Sequence, residues 1–167
     1  MRYIKDGAAA ADPWVYVEGD EPVPPDLPAI VSPDWLFAAG RGAAAGRSAH
    51  LGVAWPNDRL ESELEPYLSL LSLIALEFPV FRDGRAYTQA RRLRERYGFK
   101  GEIRATGDVL RDQFLFMVRA GFNAFEVKKA ADAEAFTKAL GEIGLSYQPA
   151  GSESPAFRAR LPFTFSA

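Results

Sequence analysis

Between Phe78 and Gln113 the chain reads FPVFRDGRAYTQARRLRERYGFKGEIRATGDVLRDQ, and this stretch carries nearly half of its twenty Lys and Arg residues. Cations mixed with aromatics, glycines and carboxylates fit four roles: an anion pocket, a nucleic-acid surface, a docking face for a partner, or the solvated side of a helix. Arg85 stands apart because it opens a helical pattern, and a helix N-terminus already offers unpaired N–H groups and the positive end of a dipole. Together with Arg104 it makes a candidate anion-binding pair, and Gly107, within Thr106-Gly107-Asp108, permits close backbone approach. Phe81, Asp83, Tyr87 and Asp108 line the same predicted pocket. A structural alternative stands beside this one: Asp83 caps the helix, Arg85 pairs with a neighbouring carboxylate, and Thr106 and Asp108 are plain caps. Ala86, Ala90, Leu93 and Tyr97 recur at helical spacing as a core stripe, which turns Arg91, Arg92, Glu95 and Arg96 toward solvent, with Arg91 and Glu95 spaced to pair one turn apart.

Composition removes whole classes of chemistry. The chain has 167 residues, a formal net charge of -2, one histidine and no cysteine. Disulfides, thiolate catalysis, Cys-ligated zinc and iron–sulfur clusters are therefore excluded, and any metal would need oxygen ligands. Glu77, Asp83, Asp108 and Glu126 are the carboxylates that could gather for Mg²⁺, but nothing in their spacing fixes a site, so no metal is expected. His50 has no carboxylate partner in the sequence pattern. GRGAAAG, from Gly40 to Gly46, has the glycines of a dinucleotide fingerprint in the wrong setting, after a helix and before a strand. A near-neutral charge argues against a dedicated nucleic-acid binder. No segment approaches the ~20 apolar residues of a membrane span, and the expected location is the cytoplasm.

The elements that must position these residues alternate regularly. Residues 1–49 form an Ala/Pro-rich arm with a short strand (WVYVE) and a helix started by Ser32 and Pro33, expected to pack on the outside. Residues 50–148 alternate strand and helix: LGVAW, DRLESELEPYL, LSLIALEF, GRAYTQARRLRERYG stopped by Gly98, GEIRAT, Asp108 to Ala120, NAFEVK, Asp132 to Ile143, and LSYQP. Residues 149–167 are a tail. The expected fold is a single α/β domain of successive βα units with a mainly parallel sheet, the alternative being a partial TIM-like barrel. Function in such sheets lies at the C-terminal ends of the strands, the edge where Asp83, Arg85, Arg104, Gly107, Glu126 and Lys128 fall.

The motifs FP-x-F-x-DGR-x-Y, AR-x-LR-x-RYG, G-x-x-RA-x-G-x-VL-x-DQ and R-x-GF, densest between Leu71 and Val127, resemble a bacterial family known as domain of unknown function 934. Thr88 stands where Ser is usual, and Ala120 where many members carry Cys. Members of that family are often labelled predicted oxidoreductases involved in sulfite reduction, a label that rests on gene neighbourhood. The resemblance implies an accessory protein of assimilatory sulfite or sulfate reduction. It would bind an oxyanion or nucleotide, or dock to sulfite reductase or another enzyme of sulfate assimilation. Two alternatives stay open, a flavin- or nicotinamide-dependent oxidoreductase of sulfur metabolism and an interaction module without a small-molecule site. Neither a catalytic residue nor a cofactor is assigned.

Overall fold

The computed structural model describes residues 2–19, 21–80 and 82–128, with 134 and 138. The helix expected from Asp132, the strand LSYQP and Phe81 lie outside the described residues. Eight strands form one sheet: β1 (Arg2–Lys5), β2 (Ala8–Ala10), β3 (Val15–Tyr16), β4 (Ala29–Val31), β5 (Leu51–Trp55), β6 (Leu71–Phe78), β7 (Glu102–Gly107) and β8 (Ala124–Val127). Their order is β2-β1-β8-β7-β6-β5-β4-β3. From β3 to β8 each strand lies parallel to the next in chain order, the arrangement by which βα units build a barrel wall.

The expectation of a mainly parallel sheet is corrected to a mixed one, because β1 and β2 run antiparallel beside β8. The reason is local: Asp6 and Gly7 both have positive φ, 48° and 87°, the two-residue turn that an Asp-Gly pair favours in a hairpin. The arm is likewise not an outside wrapping. It supplies β1 to β4, and Ile4, Ile30, Val31 and Leu36 are buried.

Among the elements of residues 2–128, three α-helices pack on one face of the sheet: α1 (Pro33–Ala45), α2 (Arg85–Glu95) and α3 (Phe114–Ala120). Ser32 caps α1 by accepting the Trp35 N–H at 3.2 Å, with Pro33 next to it as the sequence indicates. The segment DRLESELEPYL is not an α-helix. Glu61–Tyr67 winds as a 3₁₀ helix, because Pro66 lacks the N–H that an α-helical ladder needs at that point and disfavours α geometry in Glu65. The helix expected over Asp108 to Ala120 is shorter, a 3₁₀ turn at Arg111–Gln113 leading into α3. Ala86, Ala90 and Leu93 are fully buried against the sheet, as their spacing requires. Gly98 (φ 62°) turns the chain after α2, and Gly121 (φ 112°) ends α3.

The two faces of the sheet differ in chemistry. Val53, Trp55, Ile74, Leu76, Phe78, Ile103 and Phe125 join the helices in the main core. The opposite face carries Ile30, Leu73 and Ala75 with Trp14 and Ala54, and then turns polar along β7 and β8. That face is concave. In a flat sheet β3 and β8 would stand five strand spacings apart, roughly 24 Å, yet Tyr16 of β3 donates a hydrogen bond to Glu126 of β8 at 2.5 Å. The sheet is curled into a half-barrel, and its hollow is bridged by side chains. Among the described residues no helix is long and apolar enough to cross a membrane.

Candidate functional site

Alternation along β7 sends Glu102, Arg104 and Thr106 to the concave face, level with Ala124 and Glu126 of β8. Arg104 is completely buried there. Its Nη1 and Nη2 donate to Asp12 of the arm at 2.8 and 3.0 Å, its Nε to Glu102 at 2.9 Å, and its Nη1 also to Glu126 at 3.0 Å. The guanidinium lies 4.4 Å from the centre of the Tyr3 ring. Tyr3 donates to Glu102 at 2.8 Å, and the Lys5 ammonium stands 3.1 Å from the same carboxylate oxygen. Burial alone would lower the Arg104 pKa, but the bond to Asp12 and the charges of Glu102 and Asp12 reverse that, so the cation is held more firmly than in water. Burial and the bonds to Glu102 and Glu126 push both phenols, Tyr3 and Tyr16, above their ordinary value.

In this cluster three carboxylates face two cations, so its balance is negative. Each carboxylate already accepts from a guanidinium, a phenol or an ammonium. It is a closed ion network that ties the arm to β7 and β8.

The strand-end edge holds the remaining predicted site residues, and it too is paired. Asp83 accepts the Arg85 backbone N–H at 3.2 Å, and its Oδ2 receives the Arg85 Nη2 at 2.6 Å. Hydrogen bonds from the Arg85 side chain and backbone hold the Asp83 carboxyl well below the usual carboxylate range, and raise the Arg85 pKa in turn. Asp83 thus occupies the position before α2 that an external anion would take. Arg104 points to the concave face while α2 packs on the other, so the structure does not bring Arg85 and Arg104 together.

Gly107 (φ 84°) serves the backbone: a Cβ there would run into the Phe78 carbonyl oxygen, which accepts the Asp108 N–H at 2.8 Å. Asp108 pairs with Lys128 at 3.6 Å. Tyr87 reaches Gln113 at 3.4 Å and packs edge-on against Phe78. Among the described residues no group of His, Asp or Glu could hold a metal ion.

Sequence reasoning missed Tyr3, Asp12 and Tyr16. The alternation Trp14-x-Tyr16 was a usable signal for two residues sharing a face, but nothing local pointed Asp12 at a residue 92 positions away. Glu126 had been noted only as a strand-end carboxylate. The expected Arg91–Glu95 pair is not found among the described ion pairs. Arg92 instead pairs with the buried Glu61 at 3.1 Å.

A third place presents unpaired charge. Between α2 and α3 a cleft of about 430 Å³ is lined by Tyr87, Arg91, Phe116, Arg119 and Ala120. Phe116 is 61% exposed, and neither Arg91 nor Arg119 has an ion-pair partner among the described residues.

Fold and site together define an α/β half-barrel whose hollow is closed by a buried ion network. The chain belongs to the family described as bacterial protein of unknown function, DUF934, which matches residues 52–157. No curated protein matches it.

Proposed function

We propose that this protein is an accessory factor of assimilatory sulfite reduction that docks onto sulfite reductase through the outer face of α2 and α3. The observation that carries the docking reading is the exposed Phe116 in one cleft with Tyr87 and with Arg91 and Arg119, which have no ion-pair partner among the described residues. Aromatic side chains and arginines are the residues that most often anchor protein interfaces, and an exposed phenylalanine in water gains by being covered. The two guanidiniums fit a partner that presents carboxylates around an apolar notch. The choice of partner follows from the label that members of the family often carry, which rests on gene neighbourhood. The anion-binding role of Arg85, Arg104 and Gly107 has less support, since a sulfur oxyanion at Arg85 would have to displace Asp83.

The test is binding of the purified chain to purified sulfite reductase across a salt series. A complex is expected whose affinity falls with ionic strength. Phe116→Ala or the pair Arg91→Ala/Arg119→Ala should weaken it at least tenfold, because truncating a hot-spot anchor costs about 2 kcal/mol or more. No complex at tens of micromolar, or unchanged affinity in Phe116→Ala, would overturn the docking reading. A flavin or nicotinamide co-purifying in stoichiometric amount would instead favour the oxidoreductase alternative.

A further inference from the structure

At the opposite end of the strands, where the chain enters β6 and β7, lies a larger cleft of about 640 Å³. Its walls are the end of the 3₁₀ helix with the turn that follows, the loop from Arg96 to Gly101 after α2, and Arg41 of α1. Arg41, Arg96 and Lys100 line it together with a single carboxylate, Glu65. All three cations are exposed, and none has an ion-pair partner among the described residues. This excess stands out in a chain whose net charge is -2. Several other arginines of the described structure are neutralised: Arg59 by Glu63 and Asp34, Arg85 by Asp83, Arg92 by Glu61, Arg104 by three carboxylates.

Two further features suit a ligand. The Tyr97 side chain lines the cleft, and its hydroxyl is buried without a partner among the described residues. The Arg96 guanidinium lies over the Tyr97 ring, 5.4 Å from its centre, so the two side chains stack in one wall of the cleft. The loop is also shaped for its place: Gly98 has φ 62°, and a Cβ on Gly101 would lie 2.5 Å from the Phe99 ring and 2.6 Å from the Ser72 carbonyl oxygen.

We propose that this cleft binds a phosphate-bearing small molecule, with its phosphate oxygens on Arg41, Arg96 and Lys100. Three cations lining one cleft suit more than one negative charge, and the volume falls in the range of small-molecule sites, large enough for a nucleoside diphosphate. The site shares no lining residue with the α2–α3 face and does not rest on the docking proposal.

The test is calorimetric titration of the full chain with inorganic pyrophosphate and with ADP at low ionic strength. Both are expected to bind. Arg96→Ala/Lys100→Ala should raise Kd at least tenfold and Arg91→Ala/Arg119→Ala not at all. Stronger binding of ADP assigns the site to a nucleotide, and equal binding assigns it to the phosphate groups alone. Absence of binding to either probe, or an equal loss in the Arg91→Ala/Arg119→Ala protein, would overturn the proposal. The circular dichroism of each variant establishes that the fold is retained, which the exposure of Arg96 and Lys100 leads one to expect.

Discussion

Tyr3 and Tyr16 show how two phenols can serve as hydrogen-bond donors and make the protein sensitive to alkali. Each gives its proton to a carboxylate, Glu102 or Glu126, and a tyrosinate in its place would be an anion set against an anion. Burial and those carboxylates raise both pKa values above the ordinary value near 10. A raised pKa means that the folded chain holds the proton more tightly than the unfolded chain. The stabilisation is then complete below about pH 10 and is lost as pH rises beyond it. Urea melts between pH 8 and 12 should show stability constant at first and then falling, the buried Tyr3 subtracting at most about 1.4 kcal/mol per pH unit and Tyr16, 40% exposed and screened by solvent, less. In Tyr3→Phe/Tyr16→Phe the starting stability should be lower and the alkaline fall shallower. A fall of the same slope in the double variant would assign it to other groups.

Among the elements, the junction of α2, β7 and β8 explains several motif residues without any chemistry of their own. Arg94 leaves α2 and donates to the carbonyl oxygens of Phe99, Gly101 and Gly121 and to the side chain of Asn123. Asn123 in turn accepts the Ile103 N–H at 2.8 Å, so one arginine organises the entry to two strands. Burial pushes the Arg94 pKa down to about 10, which leaves it charged at neutral pH. Gly121 belongs to the same device, since its φ is 112° and a Cβ would lie 2.6 Å from Arg94 Cγ. Arg94→Ala strands buried carbonyls and should cost at least about 3 kcal/mol, measured by urea unfolding. Gly121→Ala should also destabilise through backbone strain and collision, and the two losses should not add, because both disturb one contact. Additive losses would show that the residues act separately.

For the molecule as a whole, the decisive feature is the curl that brings the arm across the hollow. Asp12 and Tyr16 belong to the arm, while Arg104, Glu102 and Glu126 belong to the core strands, and their bonds close a gap that a flat sheet would leave open. Arg104→Ala would leave three carboxylates gathered around an absent cation. Such a loss of one partner in a buried ion network should cost about 3–5 kcal/mol. Hydrogen exchange in Arg104→Ala should rise first at Trp14 to Val17 and at Tyr3 to Lys5, the segments that the network ties down. Arg104→Lys should restore little, because an ammonium cannot present the paired donors that Asp12 receives. Protection unchanged in the arm would mean that apolar contacts alone hold it.

What the residues determined by themselves was local. The alternation of short apolar runs with helical stripes specified βα units, Ser32 with Pro33 started α1, and Gly98 turned the chain after α2, all through interactions within a few positions. The Asp6-Gly7 hairpin was equally local and legible, but it lay inside an alanine-rich arm whose composition suggested loop. Tertiary structure decided the rest. Whether Arg104 would be free to bind an anion depended on Asp12, which only the curl of the sheet brings to it. Whether Arg85 would face Arg104 depended on which side of the sheet each occupies. Whether Arg41, Arg96 and Lys100 would share one cleft depended on helices and loops from three parts of the chain. Periodicity and caps are properties of neighbours in sequence, whereas charge pairing across a hollow is a property of neighbours in space, and strand order with sheet curvature sets those.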